Sequence, residues 1–345
     1  MSPIEEELRA AFERHEVMVP AAGPVRARID IAWLRARRRR VFRRTAGAAA
    51  AAGLMAGAAV PVIVERWQHQ APTTPVAADP FPAAPVPDGA LDVLLLGDDN
   101  RPGRQDPKSR LADTVMIIHV PADRSRVYLV SLPRDGEVEL PGGTRARLSE
   151  TLSRGGPALT ARAVTDLTGV DFDATVTIGL RALRAITAAV GGVDMCLPQP
   201  IRSVHNGRKY PQGCQHLGAD DVAPVLRARY GLPNGSYDRD RNAQVFLRSL
   251  AAKLTGDGTI HSPIRINELL SAGKGDIEID GDAGALVVAV AQGAAEVVGV
   301  GEPGFRSMGN GRERIYPEVG PELYAAIRGD DLAAWSAANP AYVLR

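Results

Sequence analysis

Leu91-Asp92-Val93-Leu94-Leu95-Leu96-Gly97-Asp98-Asp99-Asn100-Arg101 sets an apolar run against two acids and an arginine. The run from Leu91 to Leu96 has the length and apolar content of a buried β-strand. Ala112-Asp113-Thr114 opens a second such run, Thr114 to Val120. After the turn Pro121-Ala122-Asp123-Arg124 comes a third, Arg126 to Ser131, so the spacing predicts a hairpin. That third run ends in Leu132-Pro133-Arg134-Asp135. Each acidic or basic block therefore sits at a strand end, where open α/β sheets carry their sites.

Outward from these strands the pattern alternates. Helical spacing covers Leu148 to Leu167 and stops at Gly169. A strand fits Ala174 to Ile178, a helix Leu180 to Val190, and a short strand Val193 to Leu197. Residues 198–217, rich in Pro, Gly and polar groups, read as a long loop. Helices fit Asp220 to Tyr230 and Arg239 to Leu254. Ala283 to Val298 reads as helical or simply as an apolar run, Gly301 to Met308 as extended, and Pro321 to Ala338 as one or two helices. Strands interleaved with helices make the class α/β: a three-layer α/β/α domain, its central sheet mixed because of the hairpin.

The first 88 residues differ in kind. Seven arginines and no acid lie between Arg35 and Arg44, directly before nineteen uncharged residues, Ala46 to Val64. A helix of that length nearly crosses a hydrocarbon core of about 30 Å. The basic flank orients it with its N-terminus in the cytoplasm. Length and flanks favour a single transmembrane helix over a cleaved leader or an Ala-rich core helix. The expected layout is a cytoplasmic tail at 1–44, the helix at 45–64, and a Pro-rich extracytoplasmic linker at 65–88. The main domain then occupies 89–345, outside the cell membrane. Six prolines between 72 and 87 make the linker extended and semi-rigid.

The net charge of +1 gives no reason to expect a nucleic-acid partner, and residues 1–44 hold no DNA-reading motif. The arginine run suits anionic lipid headgroups. The two cysteines, Cys196 and Cys214, are too few for a zinc site. In an oxidising compartment two cysteines usually pair, which would stabilise the domain by roughly 3 kcal/mol; two free thiols are the alternative.

Asp99 and Asp113 are the candidate metal ligands, because neighbouring strand ends can bring both carboxylates together and Mg²⁺ accepts such pairs. Asp98 and Asp135 read as turn residues. Arg134 follows Pro133 at a strand's end, Arg227 and Arg229 end one helix, and Arg239 and Arg241 begin the next. Guanidinium forks match phosphate oxygens bidentately, and a helix N-terminus adds its dipole. His119, among apolar strand residues, and His216 read as structural. No Ser-His-Asp arrangement with a nucleophile's context is visible.

Taken in order, these blocks resemble the LytR-CpsA-Psr family of cell-wall phosphotransferases. The resemblance runs from about Leu91 to Leu254. Its pieces are L-L-L-G-x-D-x-R at 94–101, A-D-T at 112–114, S-L-P-R-D at 131–135, G-G-P at 155–157 and G-G-V-D at 191–194. G-C-Q-H-L at 213–217, R-A-R-Y-G at 227–231 and Y-D-R-D-R at 237–241 complete it. It implies an enzyme that moves a glycopolymer from a polyprenyl pyrophosphate carrier to a peptidoglycan acceptor through a phosphodiester, at the membrane. By matching position, Asp99 and Asp113 would hold Mg²⁺, with Mn²⁺ a possible substitute. Arg101, Arg134, Arg227 and Arg239 would grip the pyrophosphate, with Arg147, Arg229, Arg241 and Gln244 as further phosphate contacts. The prenyl tail would need an apolar tunnel. Three positions depart from the family pattern: Leu111 in place of an arginine, with Arg110 displaced by one, Ser236 in place of an acid, and Ala243 in place of one of two glutamines. Water in place of the acceptor hydroxyl would give a pyrophosphatase instead, and loss of turnover a binding or regulatory protein.

Overall fold

The computed structural model describes residues 89–99, 110–282, 287, 296–301, 305–315 and 320–344. The tail, the span at 45–64, the linker and Arg101 lie outside them. Among the described residues no helix is long and apolar enough to cross a membrane.

The three quoted runs form the centre of the sheet. β1 (Leu91–Asp98), β2 (Ala112–Val120) and β3 (Arg126–Leu132) pair antiparallel in sequence. β6 (Ala174–Gly179) flanks β1 in parallel, and β12 (Glu296–Gly301) flanks β3 in parallel. β11 (Ile277–Gly281) and β15 (Val343–Leu344) close the edges antiparallel. The order is β11-β6-β1-β2-β3-β12-β15, a mixed seven-stranded sheet.

Side chains of a strand alternate between faces, and both faces here are apolar. Leu94, Leu96, Val115, Ile117, Tyr128, Val130 and Leu132 point to one face. Leu91, Leu95, Met116, Val120, Val127 and Leu129 point to the other. The first face is covered by α1 (Leu148–Thr168), α6 (Gly320–Arg328) and α7 (Leu332–Ala338), through Leu152, Val164, Leu323, Ile327 and Trp335. The second carries α2 (Leu180–Ala189), α3 (Ala219–Leu226), α4 (Ser236–Gly256) and α5 (Pro263–Ala272). These helices share a second core with the ribbon of β7 (Val193–Leu197) and β10 (Gly213–Leu217). The result is the expected α/β/α sandwich.

Several expectations need correction. Residues 198–217 are not one long loop: β8 (Ile201–Arg202) pairs β9 (Lys209–Tyr210), and β10 returns against β7. α3 ends at Leu226, so Arg227 is its C-cap and Arg229 and Tyr230 follow the helix. The segment ending at Val298 finishes as strand β12, because its Val side chains lie beside β3 in the core. Two short pairs were not anticipated, β4 (Glu137–Glu139) with β5 (Arg145–Arg147) and β13 (Phe305–Ser307) with β14 (Glu313–Ile315). In α1 the helix kinks at Gly155-Gly156-Pro157, where Gly156 has φ 73°, since proline cannot donate to the preceding turn.

Cys196 and Cys214 face each other across the antiparallel β7–β10 pair and form the disulfide. His119 is fully buried, with Asp92 Oδ1 2.9 Å from Nδ1 and Asp330 Oδ1 3.1 Å from Nε2. His216 sits at the surface beside Asp194.

Candidate functional site

One end of the sheet gathers the end of β1, the start of β2 and the end of β3. Strand pairing is regular until Gly97 meets Thr114; the next partner of Asp98 is Ala112, so Asp113 is the extra residue of a β-bulge. A bulge redirects a side chain and often borders a site. Gly97 is required there, because a Cβ would stand 2.9 Å from the Thr114 Cβ. The bulge and the strand end bring Asp113 and Asp99 to the same cavity.

That cavity, of about 270 Å³, is lined by Asp99, Leu111, Asp113, Arg134, His205, Arg227, Arg229, Tyr230 and Arg239. Six of the ten sequence candidates for the site thus converge: Asp99, Asp113, Arg134, Arg227, Arg229 and Arg239. Arg134 Nη1 lies against Asp113 Oδ1, and Arg227 Nη2 is 3.1 Å from Asp99 Oδ1. Arg239, in the first turn of α4 and buried, donates from Nη2 to Asp240 Oδ1 at 2.9 Å. Arg229 stacks over the Tyr230 ring at 5.0 Å and donates from Nη2 to its hydroxyl at 3.0 Å.

The electrostatics are those of a cation cluster. Burial first, and then the neighbouring Arg239 guanidinium, lower the pKa of Arg134; Asp135 opposes this, and Arg229 and Arg147 add to it. The Nε atoms of Arg134 and Arg239 are buried without a hydrogen-bond partner among the described residues. Leaving a charged donor unmet is costly, so an anion oxygen is the partner this arrangement calls for. Beneath Arg239, burial raises Asp240 to about 6 despite that guanidinium. Burial also raises Glu313, whose Oε2 accepts from the Tyr237 hydroxyl at 2.6 Å.

A second, apolar cavity of about 70 Å³ lies between sheet and helices, lined by Leu95, Ile178, Leu180, Leu183, Leu226, Ala243, Phe246 and Leu247. Asp99, Asp113 and Arg227 line both cavities. The two therefore meet at the carboxylates, an apolar seam opening onto an anion-binding pocket.

The remaining candidates are placed elsewhere. Gln244 does not line the pocket: its Nε2 lies 2.9 Å from Leu129 O, 2.8 Å from Ser131 Oγ and 2.9 Å from Val300 O, tying β3 to β12. Arg241, two residues from Arg239 on the helix, is exposed and lines a separate groove along α4. Arg147 sits beside the cluster, its Nε donating to Glu150 Oε1 at 2.8 Å. Arg110, the displaced arginine, turns to Asp98 Oδ2 at 2.7 Å rather than into the pocket. Leu111 takes a place in the pocket wall, and Ala243 one in the apolar wall. His205 and Tyr230 line the pocket without having been singled out in the sequence. Tyr230 carried a signal, lying next to Arg229; His205 had none, because its segment reads as a polar loop.

Whether a dication fits can be judged from the donors. Two carboxylates share the pocket, and no group of three His, Cys, Asp or Glu comes together among the described residues. That set is too sparse for a closed zinc or calcium cage. It suits Mg²⁺, which takes one or two carboxylates and fills its shell with water and substrate phosphate.

Comparison with known proteins places the chain in a family. The chain is 31% identical to the cell wall biosynthesis protein LcpA of Corynebacterium glutamicum over 56% of its own length and 45% of that protein. It is 26% identical to a polyisoprenyl-teichoic acid–peptidoglycan teichoic acid transferase, TagU of Bacillus anthracis, over 51% of this chain and 59% of that one. The chain thus spans about half the length of these curated relatives. Protein gbs0355 of Streptococcus agalactiae shares the fold, with a TM-score of 0.62, 18% identity, and coverage of 70% of this chain and 88% of that chain. The profile of the LytR_cpsA_psr family matches residues 65–297, more than half of the sequence, and the chain belongs to that family.

Proposed function

We propose that this chain transfers a glycopolymer from a polyprenyl pyrophosphate carrier to peptidoglycan, forming a phosphodiester. The observation that carries this reading is the junction of the apolar seam with the arginine pocket at Asp99, Asp113 and Arg227. A ligand with a charged head and a hydrocarbon tail is what such a junction accommodates. At about 70 Å³ the seam is well below the roughly 300 Å³ of ordinary ligand pockets, so as it stands it holds only the part of a tail nearest the phosphates.

Arg134 and Arg239 would hold the pyrophosphate through donors that now lack acceptors, and Arg227 and Arg229 would close on it from the end of α3. Asp99 and Asp113 would hold Mg²⁺, which when bound supplies charge neutralisation at the phosphates. Phosphoryl transfer needs little from the protein beyond position and charge, and the pocket offers both. The similarity to TagU supports an acceptor in peptidoglycan.

The full chain, in detergent, is incubated with a polyprenyl-pyrophosphate-linked glycan, Mg²⁺ and peptidoglycan fragments, and products are read by mass spectrometry. A glycan–phosphate–peptidoglycan adduct is expected. Free phosphorylated glycan alone would mean a pyrophosphatase, and unchanged donor with tight lipid binding would mean a binding protein.

A further inference from the structure

Asp99, Asp113 and Arg227 line both the polar cavity and the apolar seam, whereas Leu111, Arg134, His205, Arg229, Tyr230 and Arg239 line the polar cavity alone. A leaving lipid phosphate belongs where the two cavities meet, its tail in the seam. Attacking and leaving oxygens stand roughly in line across the transferred phosphorus. The acceptor hydroxyl then arrives through the polar cavity, and its proton must go to a group of that lining.

The other side chains of the pocket cannot take it. Arginines remain protonated. Asp99 and Asp113 are engaged by Arg227 and Arg134. The Tyr230 hydroxyl accepts from Arg229. An imidazole is the one side chain of this wall whose ordinary chemistry moves a proton near neutral pH.

His205 is held there by a built device. The excursion that carries it is closed at its base by Cys196–Cys214 and folded into the β8–β9 hairpin, Ile201 opposite Tyr210. The His205 amide donates to Ser203 Oγ at 3.2 Å. Asn206 Nδ2 donates to the Tyr210 hydroxyl at 3.0 Å, and that hydroxyl donates to Asp221 Oδ1 at 3.0 Å. Asp221 also pairs with Arg208, and its helix, α3, ends on Arg227. Hairpin tip and phosphate grip are thereby one connected piece.

We propose that His205 is the proton acceptor for the attacking hydroxyl, a role that rests on the transfer reading above. The hydroxyl oxygen bonds to the glycan-bearing phosphorus while the bond from that phosphorus to the bridging oxygen breaks. The electron pair leaves with polyprenyl phosphate, the hydroxyl proton passes to an imidazole nitrogen, and solvent removes it afterwards. The charged side chains that line the cavity with His205 are Arg227 and Arg229 beyond α3, Arg239 on α4, Arg134 after β3, and Asp99 and Asp113 on the β1–β2 side; its own hairpin adds Arg202, Arg208 and Lys209.

The test uses the full chain with the same glycan donor, Mg²⁺ and peptidoglycan fragments. His205→Ala and His205→Gln should each lower turnover about a hundredfold, with donor affinity within twofold of the unaltered protein. The acid limb of the pH–rate profile should disappear, and imidazole added to His205→Ala should restore part of the rate. Active protein whose two variants keep turnover within threefold overturns the assignment while leaving the transfer reading intact. A loss that tracks donor affinity and resists imidazole also overturns it, making His205 a binding contact. No transfer by the unaltered protein removes the transfer reading, and this role with it.

Discussion

Arg134 and Arg239 are buried guanidiniums whose Nε atoms await an acceptor, an arrangement that favours an anion more as its charge grows. Arg134→Ala or Arg239→Ala should cost about 3 kcal/mol of transition-state stabilisation, a hundredfold in transfer rate. Lysine should restore only part, since it keeps the charge and loses the fork. Arg162, exposed on α1 with Asp166 3.7 Å away, is a suitable control expected to change nothing; steady-state rates of all three decide it. Arg124 is a poor control, because its Nη1 donates to Val120 O and Pro121 O and closes the hairpin turn. Asp240 gives a pH signature. Its value rises in the fold from 3.8 to about 6 through burial, so between those pH values the folded state binds more protons than the unfolded one. Stability therefore falls as pH rises through that window, by at most about 3 kcal/mol from this group. Urea denaturation at pH 4.5 and 6.5 should show a smaller difference for Asp240→Asn than for the unaltered protein.

At the scale of elements, two supports reach the site from far along the chain. The N-cap of helix α2 is Gly179, which has no side chain to cap it. Asp276 does so instead, its Oδ2 accepting from the amides of Arg181 at 3.0 Å and Ala182 at 3.1 Å. Asp276→Ala should lower stability by about 1 to 2 kcal/mol, measured by urea unfolding, with pocket affinity for the lipid donor little changed. The Cys196–Cys214 bridge is the second support. Replacing either cysteine by serine should lower stability by about 2 to 4 kcal/mol. Faster amide exchange should follow within 198–213, and alkylation of freshly isolated protein should find no free thiol unless the bridge is broken.

At the scale of the molecule, the pocket lies in a domain that the arginine run at 35–44 and the uncharged span at 46–64 would tether to a membrane. That tether is our proposal from sequence. It places the domain outside, beside lipid-carried donor and peptidoglycan alike. Protease added to intact spheroplasts should degrade residues 89–345 and spare the tail; protection of the large domain until detergent is added would reverse the orientation.

Strands β1, β2 and β3 were legible to within a few residues, because each carries its own apolar run with a charged block at one end. The antiparallel β2–β3 hairpin and the placing of Asp99, Asp113 and Arg134 at strand ends follow from that local pattern. What local pattern cannot carry is the direction of a side chain set by distant neighbours. Arg239 and Arg241 look equivalent in sequence, yet successive helix residues turn by about 100°, so one is buried in the pocket and the other faces an outer groove. Gln244 reads as a phosphate contact until β3 and β12 close around it and take its amide. Asp113 owes its aim to a bulge in the β1–β2 register. His205 reaches the pocket only because a disulfide, a hairpin and Asp221 fold a polar segment back onto α3. Propensity and charge pattern act over a few residues and settle the elements; burial and desolvation act between segments far apart in the chain, and they settle which charges share one pocket.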